Sequence, residues 1–299
     1  MKLERNSGIL LHPTSLPDSP VCGSFGKPAR EWLNKLAASG IGVWQFLPLA
    51  PTDSFGSPYS SPSSFALNPW FLDQNDLVRD GFLANNLEDF SSANDCFKNR
   101  VDFHLANSKV KSLRFSLVDY WDKQNRTIQE EFEIWCSKQF WLDDHSIFME
   151  LKIQNNDLPW WEWPDEYAGR DKKELENWKK NNQRELLGHK LLQWHLDRQW
   201  QSIRELAKNL GIYLFGDVPF YVSKDSADVW GNRSLFSILT NSDTFLQSGV
   251  PPDYFSETGQ LWGNPVYRWS RHKASRYRWW RKRISRHLEQ VDFLRLDHF

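Results

Sequence analysis

The stretch IYLFGDVPFYV, Ile212–Val222, is an almost unbroken apolar run carrying one charge, Asp217. Rich in β-branched and aromatic residues and bounded by Gly211 and Ser223, it predicts a strand buried on both faces, as in a parallel sheet. Along such a strand Tyr213, Phe215 and Asp217 share one face, so the run turns polar only towards its C-terminal end. Just before it, Leu192, Leu196, Trp200, Ile203, Ala207 and Leu210 recur at helical spacing, and Gly211 ends that helix.

The same helix-then-strand order occurs twice more. Pro28 suits a first helical turn, Trp32, Leu33, Leu36 and Ala37 form an apolar stripe, and Gly40 stops it before GVWQFLPL, Gly42–Leu49. Near the end, Tyr277, Trp280, Ile284 and Leu288 mark an inward helical face, followed by a strand from Val291. On that strand Phe293, Arg295 and Asp297 share one face and Leu294 and Leu296 the other. Three such units predict an α/β fold. Between Asn85 and Asn182 the text shifts to Asn, Asp, Lys and Trp without a buried strand. It reads as a mostly helical subdomain set into a βα loop. The expected organisation is 1–84, 85–182 for the insertion, and 183–299 with a long loop at 249–269.

Composition excludes several classes. With 299 residues, 40% of them hydrophobic, the chain can bury a sizeable core. A net charge of -1 and a pI near 6.7 give no global attraction to nucleic acid or an anionic membrane. Cys22, Cys96 and Cys136 are odd in number and lack CxxC spacing, against a disulfide framework or a zinc site. No signal-like start and no transmembrane-length apolar run occur, so a reduced cytoplasm is expected. Phosphate-loop, nucleophile-elbow and HExxH motifs are missing, and no metal or cofactor is expected. Seventeen tryptophans against a mean hydropathy of -0.64 put large flat rings in a polar chain, suited to cores or to stacking platforms.

In barrels and open α/β sheets, reactive groups gather beyond the carboxyl ends of parallel strands. Asp217 ends one strand, and Arg295 and Asp297 end another. Two strand rises separate the last two by roughly 6.5 Å, close enough to hold the carboxylate ionised without necessarily neutralising it by direct contact. An ionised carboxylate can be a nucleophile; the same pair can also merely hold strands together. Three loops lie nearby: GSPYSSPSSFALNP (56–69) with Tyr59, GDVPFYVSKDSADVW (216–230), and GVPPDYFSETGQLWGNPVYRW (249–269). The last is rich in Pro, Gly and aromatics, a folded lid rather than a linker.

Together with GILLHPTSLP (8–17) and FLRLDHF (293–299), these stretches resemble the 4-α-glucanotransferases, also called amylomaltases or disproportionating enzymes, from Gly8 onward. The likeness is weakest in the Trp-rich insertion. It implies a (β/α)8 TIM barrel of which this chain supplies about the first half, namely four strands. It implies retaining transfer of α-1,4-glucan segments between malto-oligosaccharides through a covalent glycosyl-Asp. Asp297 would be the nucleophile and Arg295 its tuning partner. Asp217 would bond the donor sugar and Tyr59 stack on it, while Trp262, Asn264 and Asp253 of the lid loop would meet the substrate. The family's acid/base glutamate falls beyond Phe299, so an amino-terminal fragment, inactive alone, is expected.

Two other readings compete. A non-catalytic malto-oligosaccharide-binding remnant needs the tryptophans but no strand-end carboxylates. RHKASRYRWWRKRISRH, Arg271–His287, interleaves eight Lys or Arg with Tyr and two Trp, as a nucleic-acid site does. The expected inward stripe of that helix leaves most of those charges on an outer, solvated face that needs no partner. Neither a nucleic acid nor a membrane is therefore expected as a partner.

Overall fold

The computed structural model describes residues 5–17, 21–84, 100–239, 243–254 and 256–298. The start of the expected insertion at 85–99, with Cys96, and Phe299 lie outside them. Strand β1 (Gly8–Leu10) is followed by helix α1 (Lys27–Ala38), β2 (Val43–Gln45) and α2 (Gln74–Arg79). Helices α3 (Phe103–Trp121), α4 (Arg126–Lys138), α5 (Leu142–Gln154), α6 (Asp165–Ala168) and α7 (Lys172–Asn181) lead into the long α8 (Gln183–Asn209). Then come β3 (Tyr213–Pro219), α9 (Ala227–Gly231), β4 (Gln247–Val250), β5 (Gln260–Pro265), α10 (Trp269–Ala274), α11 (Arg278–Leu288) and β6 (Phe293–Asp297).

The two glycine stops behave as their chemistry requires. Gly40 and Gly211 take positive φ, 69° and 71°. In each case the glycine and the next residue donate back into the last helical turn: Gly40 to Ala37 and Ile41 to Leu36, Gly211 to Lys208 and Ile212 to Ala207. These are Schellman closures, and they launch β2 and β3 directly from α1 and α8. Helix α8 begins earlier than its apolar stripe from Leu192 indicated, at Gln183.

Strands β1, β2, β3 and β6 form one parallel sheet in that order. The order follows the sequence with no reversal, as in a barrel and unlike a doubly wound sheet, which needs a switch point. Trp44, Leu214 and Val218 point to the helix layer and are buried, Trp44 against Trp200 of α8. Gly216 lies on the same face, where a Cβ would meet the Val291 side chain at 2.8 Å. The other face carries Tyr213, Phe215 and Asp217 beside Phe293 and Arg295. Helices α3 and α4 pack Leu113, Leu117 and Phe132 onto the sheet's helix-side core. A second core joins Phe148, Trp160, Trp163 and Trp178 to Trp230, Tyr267 and Trp279. Ten of the seventeen tryptophans are buried, so most of that ring area is structural rather than available for stacking.

One expected face is corrected. Helix α11 buries Trp279, Arg283 and Arg286, while Trp280 and Ile284 are half-buried and Tyr277 and Leu288 are exposed. The helix is rotated because its interior offers acceptors: the Pro219 and Phe220 carbonyls for Arg283, and Asp197 at 2.9 Å for Arg286. A reading by apolarity cannot see that two cations are the inward residues. The other six Lys and Arg of 271–287 are exposed. Cys22 and Cys136 are free thiols. No helix among the described residues is long and apolar enough to cross a membrane.

Candidate active site

The carboxyl ends of β3 and β6 lie side by side, with Asp217 opposite Arg295 and Pro219 opposite Asp297. Alternation along both strands therefore brings Asp217, Arg295 and Asp297 onto one face. Tyr59 arrives from the loop after β2, in a short 3-10 turn, Pro58–Ser60, whose N-cap Ser57 accepts from the Tyr59 N–H. Pro58 and the Asp53 carboxylate, which accepts from the Phe55 and Ser57 N–H groups, stiffen the entry to that turn. Farther along, Asp228 accepts from Ser64 N at 2.8 Å and Ser64 Oγ at 3.1 Å, and Gln193 both accepts from and donates to the Leu67 backbone. The loop is thus pinned by side chains from α8 and α9.

The Tyr59 hydroxyl donates to Asp217 Oδ2 at 2.8 Å, and Arg295 Nη1 donates to the same oxygen at 2.8 Å. Arg295 Nη2 pairs with Asp297 Oδ1. The spacing along the strand left direct contact open; the long Arg295 side chain makes it, bridging both carboxylates. The side chain of Asp217 is 2% exposed and that of Asp297 12%, while Arg295 is 46% exposed and closes the cluster from the open side. Asp217 Oδ1 is buried with no hydrogen-bond partner, an acceptor ready for a hydroxyl.

Burial pushes Asp217 above the usual carboxylate range, opposed by the Tyr59 bond and the Arg295 charge. Burial, followed by the bond to Asp217, also raises Tyr59, which keeps its proton as a donor. For Arg295 burial works against the charge, but Asp217 and Asp297 outweigh it and hold the guanidinium above its ordinary value. The cluster is therefore a buried acceptor and a partly open carboxylate sharing one cation, which suits attack on an electron-poor carbon beside a bound hydroxyl.

At the start of the 249–269 segment β4 pairs antiparallel with β5 as a hairpin. Trp262 stands half-buried on β5, its ring 4.6 Å from His298 and 6.4 Å from Tyr221. Through His298, whose Nε2 is 3.5 Å from Asp297 Oδ2, Trp262 joins the cluster. Asn264 is half-buried on the same strand. Asp253 is exposed at the hairpin turn, where Oδ1 accepts from the Ser256 N–H. Sequence reasoning missed Asp228 and Arg283, which lie beneath the loops; Asp228 stands inside a quoted motif, but nothing in its spacing marks it as an anchor. Among the described residues no group of three His, Cys, Asp or Glu side chains can hold a metal ion.

Residues 11–299 match the sequence profile of the 4-alpha-glucanotransferases. The chain is 40% identical to a 4-alpha-glucanotransferase of Synechocystis, covering 99% of this chain and 59% of that protein. It is 38% identical to one of Thermus thermophilus, covering 100% and 59%. It also resembles the solved amylomaltase of Streptococcus agalactiae in complex with acarbose, with a TM-score of 0.88, 32% identity and 99% of this chain against 60% of that one. The chain thus spans about three fifths of the length of the relatives it matches.

Proposed function

This chain belongs to the 4-alpha-glucanotransferase family, and from that premise we propose that the whole protein transfers α-1,4-glucan segments between malto-oligosaccharides by a retaining double displacement. The observation that carries the reading is the Tyr59–Asp217–Arg295–Asp297 chain of contacts at neighbouring strand ends. Asp297 attacks the anomeric carbon of the donor, the glycosidic C–O bond breaks, and the leaving oxygen takes a proton from a second carboxyl group. The acceptor hydroxyl then returns its proton to that group as its oxygen displaces Asp297, which restores the configuration of the bond. Arg295 orients Asp297 through its direct contact. Asp217 holds a donor hydroxyl through its free Oδ1, and the Tyr59 ring packs on the sugar while its hydroxyl fixes Asp217. Trp262, with Asn264 and Asp253, lines the acceptor side, and the hairpin excludes water so that a sugar rather than water completes the second step.

A retaining pair requires carboxyl groups about 5–5.5 Å apart. Within this chain Asp217 is already engaged by two donors at Oδ2, which makes it a binding group rather than the acid. The 299 residues by themselves are accordingly proposed to bind malto-oligosaccharides without turnover. The experiment is Asp297→Asn in the protein completed to the length of its relatives. Transfer and hydrolysis both fall by about four orders of magnitude or more, while acarbose titrates with unchanged stoichiometry. Turnover by the variant at an appreciable rate contradicts the assignment.

A further inference from the structure

Arg283 of α11 is 0% exposed, a guanidinium enclosed in the core. Enclosing such a charge is costly unless its donors find acceptors; Nε has none, so the two terminal nitrogens carry the contact. Here Nη2 donates to the Pro219 carbonyl at 2.7 Å and Nη1 to the Phe220 carbonyl at 2.9 Å. The Tyr267 hydroxyl lies 3.2 Å from Nη1 and itself donates to the Phe220 carbonyl at 2.6 Å. The planar fork thus grips two consecutive carbonyls, a match that a lysine ammonium cannot reproduce.

What those carbonyls belong to gives the contact its consequence. Pro219 is two residues past Asp217 and pairs with Asp297 across the sheet. The Phe220 N–H donates to the Asp297 carbonyl at 2.9 Å. The Pro219–Phe220 segment is therefore clamped from beneath by Arg283 while it holds the Asp297 backbone beside it. A third arm is electrostatic. Burial raises Asp228, opposed first by the Ser64 N–H bond and then by the Arg283 charge, and its carboxyl group pins Ser64 in the loop that carries Tyr59. The same loop is tied to α9 by the Ala227 N–H donating to Pro62. Strand ends and their loops are ordinarily the mobile part of a sheet; here three of them converge on one buried cation.

We propose that Arg283 is a positioning residue: by fixing the Pro219–Phe220 segment it sets the register in which one Arg295 guanidinium spans Asp217 and Asp297. This rests on the transferase reading above, but the geometry is testable apart from it. A displacement of about 1 Å at reacting groups lowers a rate about a hundredfold, whereas sugar contacts made elsewhere persist. In the full-length protein, Arg283→Lys is expected to lower kcat about ten- to a hundredfold, with KM for maltotriose within about threefold. Tyr267→Phe, the milder variant, removes the two bonds of the Tyr267 hydroxyl from the same node but leaves the Arg283 grip on both carbonyls, and is expected to lower kcat about three- to tenfold.

Both variants are assayed well below their unfolding temperatures, with kcat expressed per folded molecule, and crystal structures of both are determined. A loss of kcat that persists under those conditions, with the Arg295 bridge opened, supports the proposal. Full kcat in folded Arg283→Lys and Tyr267→Phe, or an unmoved Pro219–Phe220 segment with the bridge intact, overturns it and leaves Arg283 a packing residue. Should the unmutated protein fail to act on glucans while the variant structures show the bridge opened, the transferase reading falls and the positioning role stands.

Discussion

The Trp262 indole and the His298 imidazole lie with ring centroids 4.6 Å apart, inclined at 54°. One ring belongs to the hairpin, and the other follows Asp297 directly, with a left-handed φ of 57° that turns the chain sharply at the end of β6. The hairpin therefore touches the strand that carries the proposed nucleophile. An aromatic pair of this kind is worth about 0.5–1.5 kcal/mol beyond its buried area. Trp262→Ala in the full-length protein is expected to weaken acceptor use about two- to tenfold and to raise hydrolysis relative to transfer. Glucose release and chain-length redistribution from maltotriose, measured in parallel, give that ratio. An unchanged ratio means the hairpin is not a water-excluding lid.

Tyr59 tests the donor side. Its hydroxyl and Arg295 share Asp217 Oδ2, so Tyr59→Phe removes one of two donors to a buried carboxylate and leaves the ring in place. A hydrogen bond to a charged group contributes about 1.5–3 kcal/mol, which predicts a ten- to hundredfold fall in kcat/KM. Tyr59→Ala, which also removes the ring, is expected to lower affinity for acarbose further. If Tyr59→Phe matches the unmutated protein, the Asp217 contact has no part in catalysis.

Much of this arrangement was legible in the sequence because strands and helix stops obey local rules. Gly40 and Gly211 announce their Schellman turns, and the period-two alternation of IYLFGDVPFYV and FLRLDHF puts Asp217, Arg295 and Asp297 on one face. The direct Arg295 bridge was not legible, since spacing along a strand says nothing about a flexible side chain reaching back across it. The inward face of α11 was hidden for a related reason. Arg283 and Arg286 look like surface charges until the carbonyls and the carboxylate that receive them are known. Asp228 was likewise invisible as an anchor, because its partner Ser64 is 164 positions away.

The long helix α8 is joined to α3 and α5 by a buried ion pair. Arg114 Nη1 lies 2.6 Å from Glu150 Oε2, both side chains under a tenth exposed, and His189 Nε2 lies 3.0 Å from the same oxygen. Removing one partner of such a pair strands the other charge in the core. Glu150→Gln is therefore expected to destabilise the fold by about 3–5 kcal/mol, read as a lower denaturant midpoint. The double variant Glu150→Gln/Arg114→Met, which leaves no stranded charge, is expected to recover part of that loss. A loss below about 1 kcal/mol for Glu150→Gln is the value of an exposed pair and is incompatible with this geometry.

Acid sensitivity follows from histidines kept neutral by burial. Burial pushes His145 down to about 3, helped by His189, and His287 down to about 3, helped by Arg283 and Arg286. Burial lowers His12 to about 4 against a backbone bond to Leu47, and His189, His195 and His272 shift the same way. In the unfolded chain these rings protonate near 6.5, so below that pH the unfolded state binds more protons and stability falls. The contribution is complete above about 6.5 and is lost as pH drops through about 4 to 3, at about 1.4 kcal/mol per pH unit for each proton taken up. Asp217 and Asp228 act in the opposite sense. Raised by burial, they keep protons that the unfolded chain sheds above its carboxylate value, which offsets part of the slope just above pH 3.8. Denaturant midpoints measured from pH 7.5 to 4.5 are thus expected to decline steadily below pH 6.5. His287→Gln is expected to reduce the proton uptake on unfolding at pH 5 by about one; a midpoint that stays flat from pH 7 to 5 would show that these rings are not held neutral in the folded protein.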